Sequence, residues 1–189
     1  TVQVIKEGAP LNAFQLFEQK FDENGNPISD TSPEQMFVDQ NDDGTINEQD
    51  LVVKESPQPD WIIGHTSRMT FQNVDFKFTL RANVGNWVHN TNAANLGALS
   101  NLREFDPSNL QESVLTTGFN EPQPRSDFFL ENASFLRMDN MELGYTVPSD
   151  LIGTVDRLRL FGSIRNAFTI TGYSGPDPEV PGGIDNTLF

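Results

Sequence analysis

The sequence contains no cysteine, which excludes disulfides, thiolate zinc sites and cysteine nucleophiles. It has only two histidines, His65 and His89, with no serine-centred motif beside either. A nucleophile, its base and an orienting group within mutual reach are not indicated, so no catalytic residue is assigned and no enzyme is expected. Long apolar runs are missing too: a membrane helix needs about 18 or more consecutive apolar residues. A membrane β-strand needs only about 9–11 residues, with every second one apolar, so the mean hydropathy of −0.44 is compatible with a strand-built membrane protein. Cations are scarce, at 12 Lys and Arg against 27 Asp and Glu. The formal net charge of −15 argues against binding nucleic acid by phosphate neutralisation. The chain starts at Thr1 with no initiator Met and no charged-then-apolar leader, and reads as part of something processed or longer.

What is present is alternation. From Asp75 to Val84, Phe76, Phe78, Leu80, Ala82 and Val84 fall on one face, and Asp75, Lys77, Thr79, Arg81 and Asn83 on the other. Period two over ten residues specifies a β-strand of membrane-crossing length. The preceding segment, Ile62 to Phe71, alternates more weakly, and Gln72-Asn73 allows a tight hairpin. A second hairpin is predicted from Met141, Leu143, Tyr145 and Val147, a break at Pro148, and then Leu158, Leu160, Gly162 and Ile164 running towards Ile170. An earlier strand is expected over residues 12–21, and a helical turn or two over 94–105.

Phe occurs 15 times, whereas Tyr and Trp occur twice each. Trp61 and Trp87 stand at the ends of the first hairpin and are expected to be interfacial girdle residues. Arg68, Lys77, Arg81, Arg157, Arg159 and Arg165 alternate with apolar residues; on a barrel wall they would face the lumen, solvated, paired with acids such as Asp75 and Glu142, or in contact with a plug. The connections over 22–60 and 85–133 are long and rich in Asp, Asn and Pro, whereas those at 72–73 and 148–156 are short. Outer-membrane barrels have this asymmetry, with short periplasmic turns and long extracellular loops. A soluble β-sandwich also alternates, and periodicity alone leaves the two architectures open.

The run DQNDDGTINEQD at 39–50 has the spacing of a twelve-residue calcium loop. Asp39, Asn41 and Asp43 take positions 1, 3 and 5, and Gly44 takes the sharp turn at 6. Thr45 offers a carbonyl at 7, Asn47 acts at 9 and Asp50 closes at 12. Ca²⁺ is a hard cation that takes oxygen ligands, and these residues supply them. An ion-free Asp/Asn/Gly turn is the competing reading. The Asp at position 12 is shorter than the usual Glu, and the motif occurs once, unlike a paired sensor.

Several runs together resemble SusC/RagA-like TonB-dependent outer-membrane transporters: the 39–50 loop, SPQPDWIIG at 56–64, FQNVDFKF at 71–78, SDFFLENASFLRMDNMELGYTVP at 126–148 and, most specifically, RNAFTITGYSGPDPE at 165–179. The resemblance implies an all-β fold: an antiparallel transmembrane barrel of about 22 strands with a plugged lumen. Residues 1–189 would form a C-terminal part of it, with about five or six strands, long extracellular loops and no plug domain. Family members continue past a GIDN-like segment into one more strand, so the chain, ending GIDNTLF, is read as stopping before it.

By the same resemblance the parent protein imports large nutrients, oligosaccharides or peptides, across the outer membrane of a Gram-negative, Bacteroidetes-like cell. The implied partners are a SusD-like surface lipoprotein, a TonB complex acting through the absent plug region, the rest of the barrel chain and outer-membrane lipid. Two other readings stay open: a soluble, secreted calcium-binding adhesion or carbohydrate-binding module, and a barrel that serves a larger surface complex without transporting. The direction faced by Phe76, Phe78 and Leu80 separates the module from the barrels.

Overall fold

The computed structural model describes residues 2–102, 110–153, 156–180 and 183–185. Among the described residues ten strands form three sheets: β1 (Gln3–Val4), β2 (Ala13–Phe17), β3 (Leu51–Val53), β4 (Trp61–Phe71), β5 (Val74–Val84), β6 (Trp87–Asn90), β7 (Leu130–Asn132), β8 (Phe135–Val147), β9 (Leu158–Thr171) and β10 (Ile184–Asp185). The chain divides into two compact units, residues 59–85 with 133–172, and residues 1–58 with 86–132 and 173–189. Among the described residues, no helix is long and apolar enough to cross a membrane.

The first unit is one antiparallel sheet in the order β4-β5-β8-β9. Its strands have 11, 11, 13 and 14 residues, the length of a tilted bilayer crossing. Register carries the alternation across all four. Met69, Phe76, Leu143 and Gly162 form one row, and Ser67, Phe78, Met141 and Ile164 the next. The apolar side chains of β5 and β9 thus share a face of one sheet and do not oppose each other across a closed core. Trp61, Phe71 and Leu160 on that face are 69%, 75% and 59% exposed. Of the exposed large apolar side chains on these strands, only Ile62 and Phe161 lie on the opposite face. An apolar surface this extensive would be a liability in water and is what the strands of a membrane wall present to lipid.

One residue keeps that face intact. Met138 and Met141 are three apart, yet both lie on the apolar side, opposite Leu80 and Phe78. Strict alternation would turn Met141, Leu143, Tyr145 and Val147 onto the charged face. A β-bulge at Asp139 absorbs the odd residue, and the Arg81 guanidinium clamps its carboxylate, Nε to Oδ2 at 3.0 Å and Nη2 to Oδ1 at 3.2 Å. Opposite it, β9 passes Asn166 in the left-handed region at φ 49°.

The second unit contains the long connections, which are not structureless. β1, β2 and β3 form one small antiparallel sheet; β6 pairs antiparallel with β7 and parallel with β10. Phe119, Phe128 and Phe129 stack mutually at 5.1–6.0 Å beside Ala93 and Ala94, so part of the phenylalanine excess makes a local core. The excursion after β2 is fastened by buried Gln19, whose Nε2 donates to the carbonyls of Ile28 at 3.0 Å and Met36 at 3.2 Å, while its Oε1 accepts from Ser126 Oγ at 3.0 Å.

Three expectations change here. The strand expected over 12–21 is shorter and belongs to the second unit, because Phe14 and Leu16 find a soluble-type core there. The wall sheet therefore has four strands among the described residues. Trp87 lies in β6 of the second unit, half-buried, and only Trp61 ends a strand on the apolar face. The helical turns appear as Thr91–Leu96 and Leu99–Leu102, and residues 103–105 of that expectation lie outside the described residues. So do residues 186–189, the last four before the expected final strand.

Candidate functional site: a charged wall face and an oxygen-rich loop

The face of the wall sheet opposite the apolar one carries the charges. Arg159 on β9 reaches across β8 to Asp75 on β5, with Nε to Oδ1 at 2.9 Å and Nη2 to Oδ2 at 2.6 Å. Its Nη2 also donates to Glu142 Oε1 at 2.7 Å. The reach is open because Gly144 stands between them: a Cβ there would lie 2.2 Å from Arg159 Nη2. Around this triad, Arg68, Lys77 and Arg157 help line a recess of about 250 Å³. Higher on the same face, the Arg81 and Arg137 guanidiniums lie over the ring of Phe135 at 5.5 and 5.2 Å. The arrangement is suited to holding charge and water, and its lining residues offer no nucleophile–base pair.

The 39–50 loop adopts the expected turns. Gly44 has φ 81° at position 6, and Asp42 is left-handed at φ 58°. Asp39 Oδ2 accepts from Gly44 N at 2.7 Å, Asn41 Oδ1 from Asp43 N at 3.1 Å, and Asp43 Oδ1 from Thr45 N at 2.9 Å. Side-chain oxygens thus organise the loop's own backbone. On its inner side, Asn41 Nδ2 donates to Asp43 Oδ2 at 3.0 Å, and Asn47 Nδ2 donates to the Thr45 carbonyl at 3.2 Å. Asn41, Asp43, Thr45 and Asn47 are therefore brought together. Asp39 joins through the backbone.

Asp50 is fully buried and closes the loop. Its Oδ2 accepts from Asn47 N at 2.8 Å and its Oδ1 from Gln40 N at 2.9 Å. The Asn47 N–H above all, then the Gln40 N–H, holds this carboxyl below the ordinary range against the opposing effect of burial. Among the described residues no group of three or more His, Cys, Asp or Glu is placed to hold a metal. Carboxylate, amide and carbonyl oxygens are the donors a hard cation takes, but Asn41 and Asn47 here turn their amide N–H groups, not their oxygens, to Asp43 and the Thr45 carbonyl.

Sequence reasoning missed other anchors. Glu131 accepts from Asn90 Nδ2 at 3.1 Å, Ser174 Oγ at 2.7 Å and Ser174 N at 2.8 Å, tying the YSGPDPE segment to β6 and β7. Buried Tyr173 lies against Gly175, so that segment is a structural corner. No alternation marks Glu131, and only the contact reveals it.

The chain aligns at 38% identity, over 97% of its length, with "TonB-dependent receptor SusC" of Bacteroides thetaiotaomicron. The chain is SusC/RagA-like. It is also 26% identical, over 97% of its length, to "TonB-dependent receptor P3" of Formosa agariphila. Among solved structures it resembles the RagAB peptide importer in its open-open state, with a TM-score of 0.68, 19% identity and 98% of this chain covered, and the RagAB peptide transporter with a TM-score of 0.64 and 20% identity. At those identities the likeness shows the fold. The SusC/RagA-like chain spans 18% of the first of these receptors and 20% of the second, and 21% of each RagAB chain. No family model matches it. The relatives are named as receptors, and the solved structures as a peptide importer and transporter.

Proposed function

We propose that the whole protein is an outer-membrane active transporter for large nutrients, oligosaccharides or peptides, working with a SusD-like surface lipoprotein and energised by a TonB complex. One observation carries the reading: a four-stranded sheet of crossing length with an exposed apolar face and a charged face. Lipid would cover the first and the lumen would hydrate the second. The three long stretches, before Trp61, between Val84 and Phe135 and after Thr171, all join the sheet at one end, and the short turns close the other end. The long end is then extracellular, where the 39–50 loop would bind Ca²⁺ through Asp39, Asn41, Asp43, Thr45, Asn47 and Asp50. Ordering that loop would lower its conformational entropy and fix a surface for the lipoprotein.

Uptake of fluorescent oligosaccharides and peptides by cells carrying the full-length gene, its deletion or a TonB deletion tests transport. Uptake lost in both deletions supports it; uptake unchanged in both overturns it. For the loop, titration calorimetry with Ca²⁺ on the intact protein and on Asp43→Ala decides. Heats present in the first and absent in the second support binding, and equal heats refute it.

A further inference from the structure

The loop unit gathers neutral hydrogen-bonding groups from three distant stretches of chain. Asn90 and Asn92, Gln111, and Ser174, Gly175 and Pro176 line a second recess, of about 240 Å³. Its floor is fixed by the chain itself. Asn90 Oδ1 accepts from Ala93 N at 2.9 Å, and Asn90 Nδ2 donates to Glu131 Oε1 at 3.1 Å and Ser174 Oγ at 3.2 Å. Ser174 Oγ donates in turn to Glu131 Oε1 at 2.7 Å. The Glu131 carboxylate is therefore occupied by this network and sets the orientation of the Asn90 amide and the Ser174 hydroxyl. Both N–H groups of the Asn90 amide are used, whereas Asn90 Oδ1 and Ser174 Oγ each retain acceptor capacity. Gln111 differs from them. Its backbone N donates to the Leu96 carbonyl at 3.2 Å, but its side-chain amide makes no hydrogen bond among the described residues. Donors and acceptors that the chain leaves unused are open to a ligand.

We propose that this recess is a subsite for one neutral monosaccharide unit of an oligosaccharide, held by its hydroxyl groups. The inference rests on the transporter reading and narrows the cargo to the saccharide class. A sugar hydroxyl both donates and accepts, so neighbouring hydroxyls match the mixed donors and acceptors of the Gln111 amide and the spare oxygens of Asn90 and Ser174. Among the described residues no charged side chain lines the recess, in a chain of formal net charge −15, so neither a carboxylate nor an ammonium group is selected. The volume is below the roughly 300–1,000 Å³ of pockets that enclose whole drug-sized ligands, and suits one unit of a longer chain. A peptide is less well served. β6, which carries Asn90, is flanked by β7 and β10, so it offers no open edge to which a peptide could add as a strand. Pro176 is the one apolar ring in the lining and no aromatic platform accompanies it, so the grip comes from neutral hydrogen bonds of modest net strength. Weak, reversible binding is what a ligand in transit requires.

Gln111 gives the test, because its side chain can be removed without breaking the network beneath it. The full-length protein, purified in detergent, is titrated with neutral oligosaccharides of glucose, mannose, galactose and xylose and, in parallel, with an alanine peptide blocked at both ends. Binding is read by saturation-transfer NMR. At least one sugar should bind saturably with a millimolar Kd. Gln111→Ala should weaken it by roughly tenfold, the effect of losing one or two neutral hydrogen bonds, and Gln35→Ala, on an exposed turn of the same unit, should leave it unchanged. Binding by none of the sugars, or sugar binding indifferent to Gln111→Ala, overturns the subsite. So does a blocked peptide whose binding is lost in Gln111→Ala while no sugar competes with it. Cell uptake of the bound sugar separates this inference from the transporter reading. If uptake needs the gene and Gln111→Ala changes neither uptake nor binding, the subsite alone fails. If the sugar binds through Gln111 and uptake is equal with and without the gene, the transporter reading fails and the subsite stands.

Discussion

The guanidinium of Arg159 lies over the α-carbon of Gly144, where an added Cβ would meet Nη2 at 2.2 Å. A strand-interior glycine ordinarily weakens a sheet. Here it lets a β9 cation reach a β5 carboxylate across the intervening strand, so three strands are joined by one side chain. Gly144→Ala should displace Arg159, break both of its contacts and lower the temperature at which the folded barrel converts to the unfolded gel form by roughly several degrees. Gly162→Ala is the control. Gly162 lies on the apolar face with open space around it, so that substitution should leave the transition unchanged.

The bulge at Asp139 gives a sharper test of register. Deleting Asp139 forces either Leu136 and Met138 or the Met141–Val147 series onto the charged face. Loss of the heat-modifiable form is expected, with the protein failing to reach the outer membrane. Asp139→Asn keeps the residue count and should assemble, with only the Arg81 pairing weakened. Equal assembly of the deletion and the wild type would show that the bulge does not set the faces.

Asn166 sits in the left-handed region opposite that bulge, where a β-branched residue is strained. Asn166→Val should cost about 1–3 kcal/mol in unfolding experiments on the refolded protein, while Asn166→Gly should cost little.

His89 makes the loop unit sensitive to acid. It is fully buried near the Phe14 ring, and burial pushes its pKa from 6.5 down to about 4. The unfolded chain binds a proton near pH 6.5 that the folded unit refuses until about pH 4. The stability from neutral His89 is therefore complete above the unfolded value and is lost as pH falls between those limits, by on the order of 3 kcal/mol. Urea unfolding followed by hydrogen-exchange protection of the 86–90 segment should show a midpoint that drops between pH 7 and pH 4.5. His89→Gln should flatten that dependence.

Phe119 tests whether the long connections have a true core. It is buried against Phe128 and Phe129, and Phe119→Ala should cost about 3–5 kcal/mol. Limited proteolysis within residues 110–132 should accelerate accordingly, with the wall strands still protected.

The wall was legible because period two survives in any single strand, and β5 displayed it over its whole length. β8 was legible only from Asn140 onward, since the bulge at Asp139 breaks the alternation and hides Phe135–Met138. The loop unit was scarcely legible. Its core comes from residues far apart in sequence, such as Phe14, Val88 and Phe129, and its polar anchors Gln19 and Glu131 act through contacts that no local pattern encodes. The 39–50 turns were readable because Asx residues fold their own backbone, whereas the hydrogen bonds of Asp50 to the Gln40 and Asn47 N–H groups were visible only in the structure. The Arg159 triad was half visible: the charges alternated in the sequence, but their pairing across β8 depended on the missing side chain at Gly144.

The second unit draws on three stretches of chain that are separated by the wall strands: residues 1–58, 86–132 and 173–189. β6 alone is flanked by a neighbour 40 residues on and another nearly a hundred residues on. Such a unit cannot be inherited or grafted one loop at a time. Exchanging a single connection between two relatives would orphan its partners in the other two, so diversification of this surface must proceed by coordinated replacement of whole sets of loops.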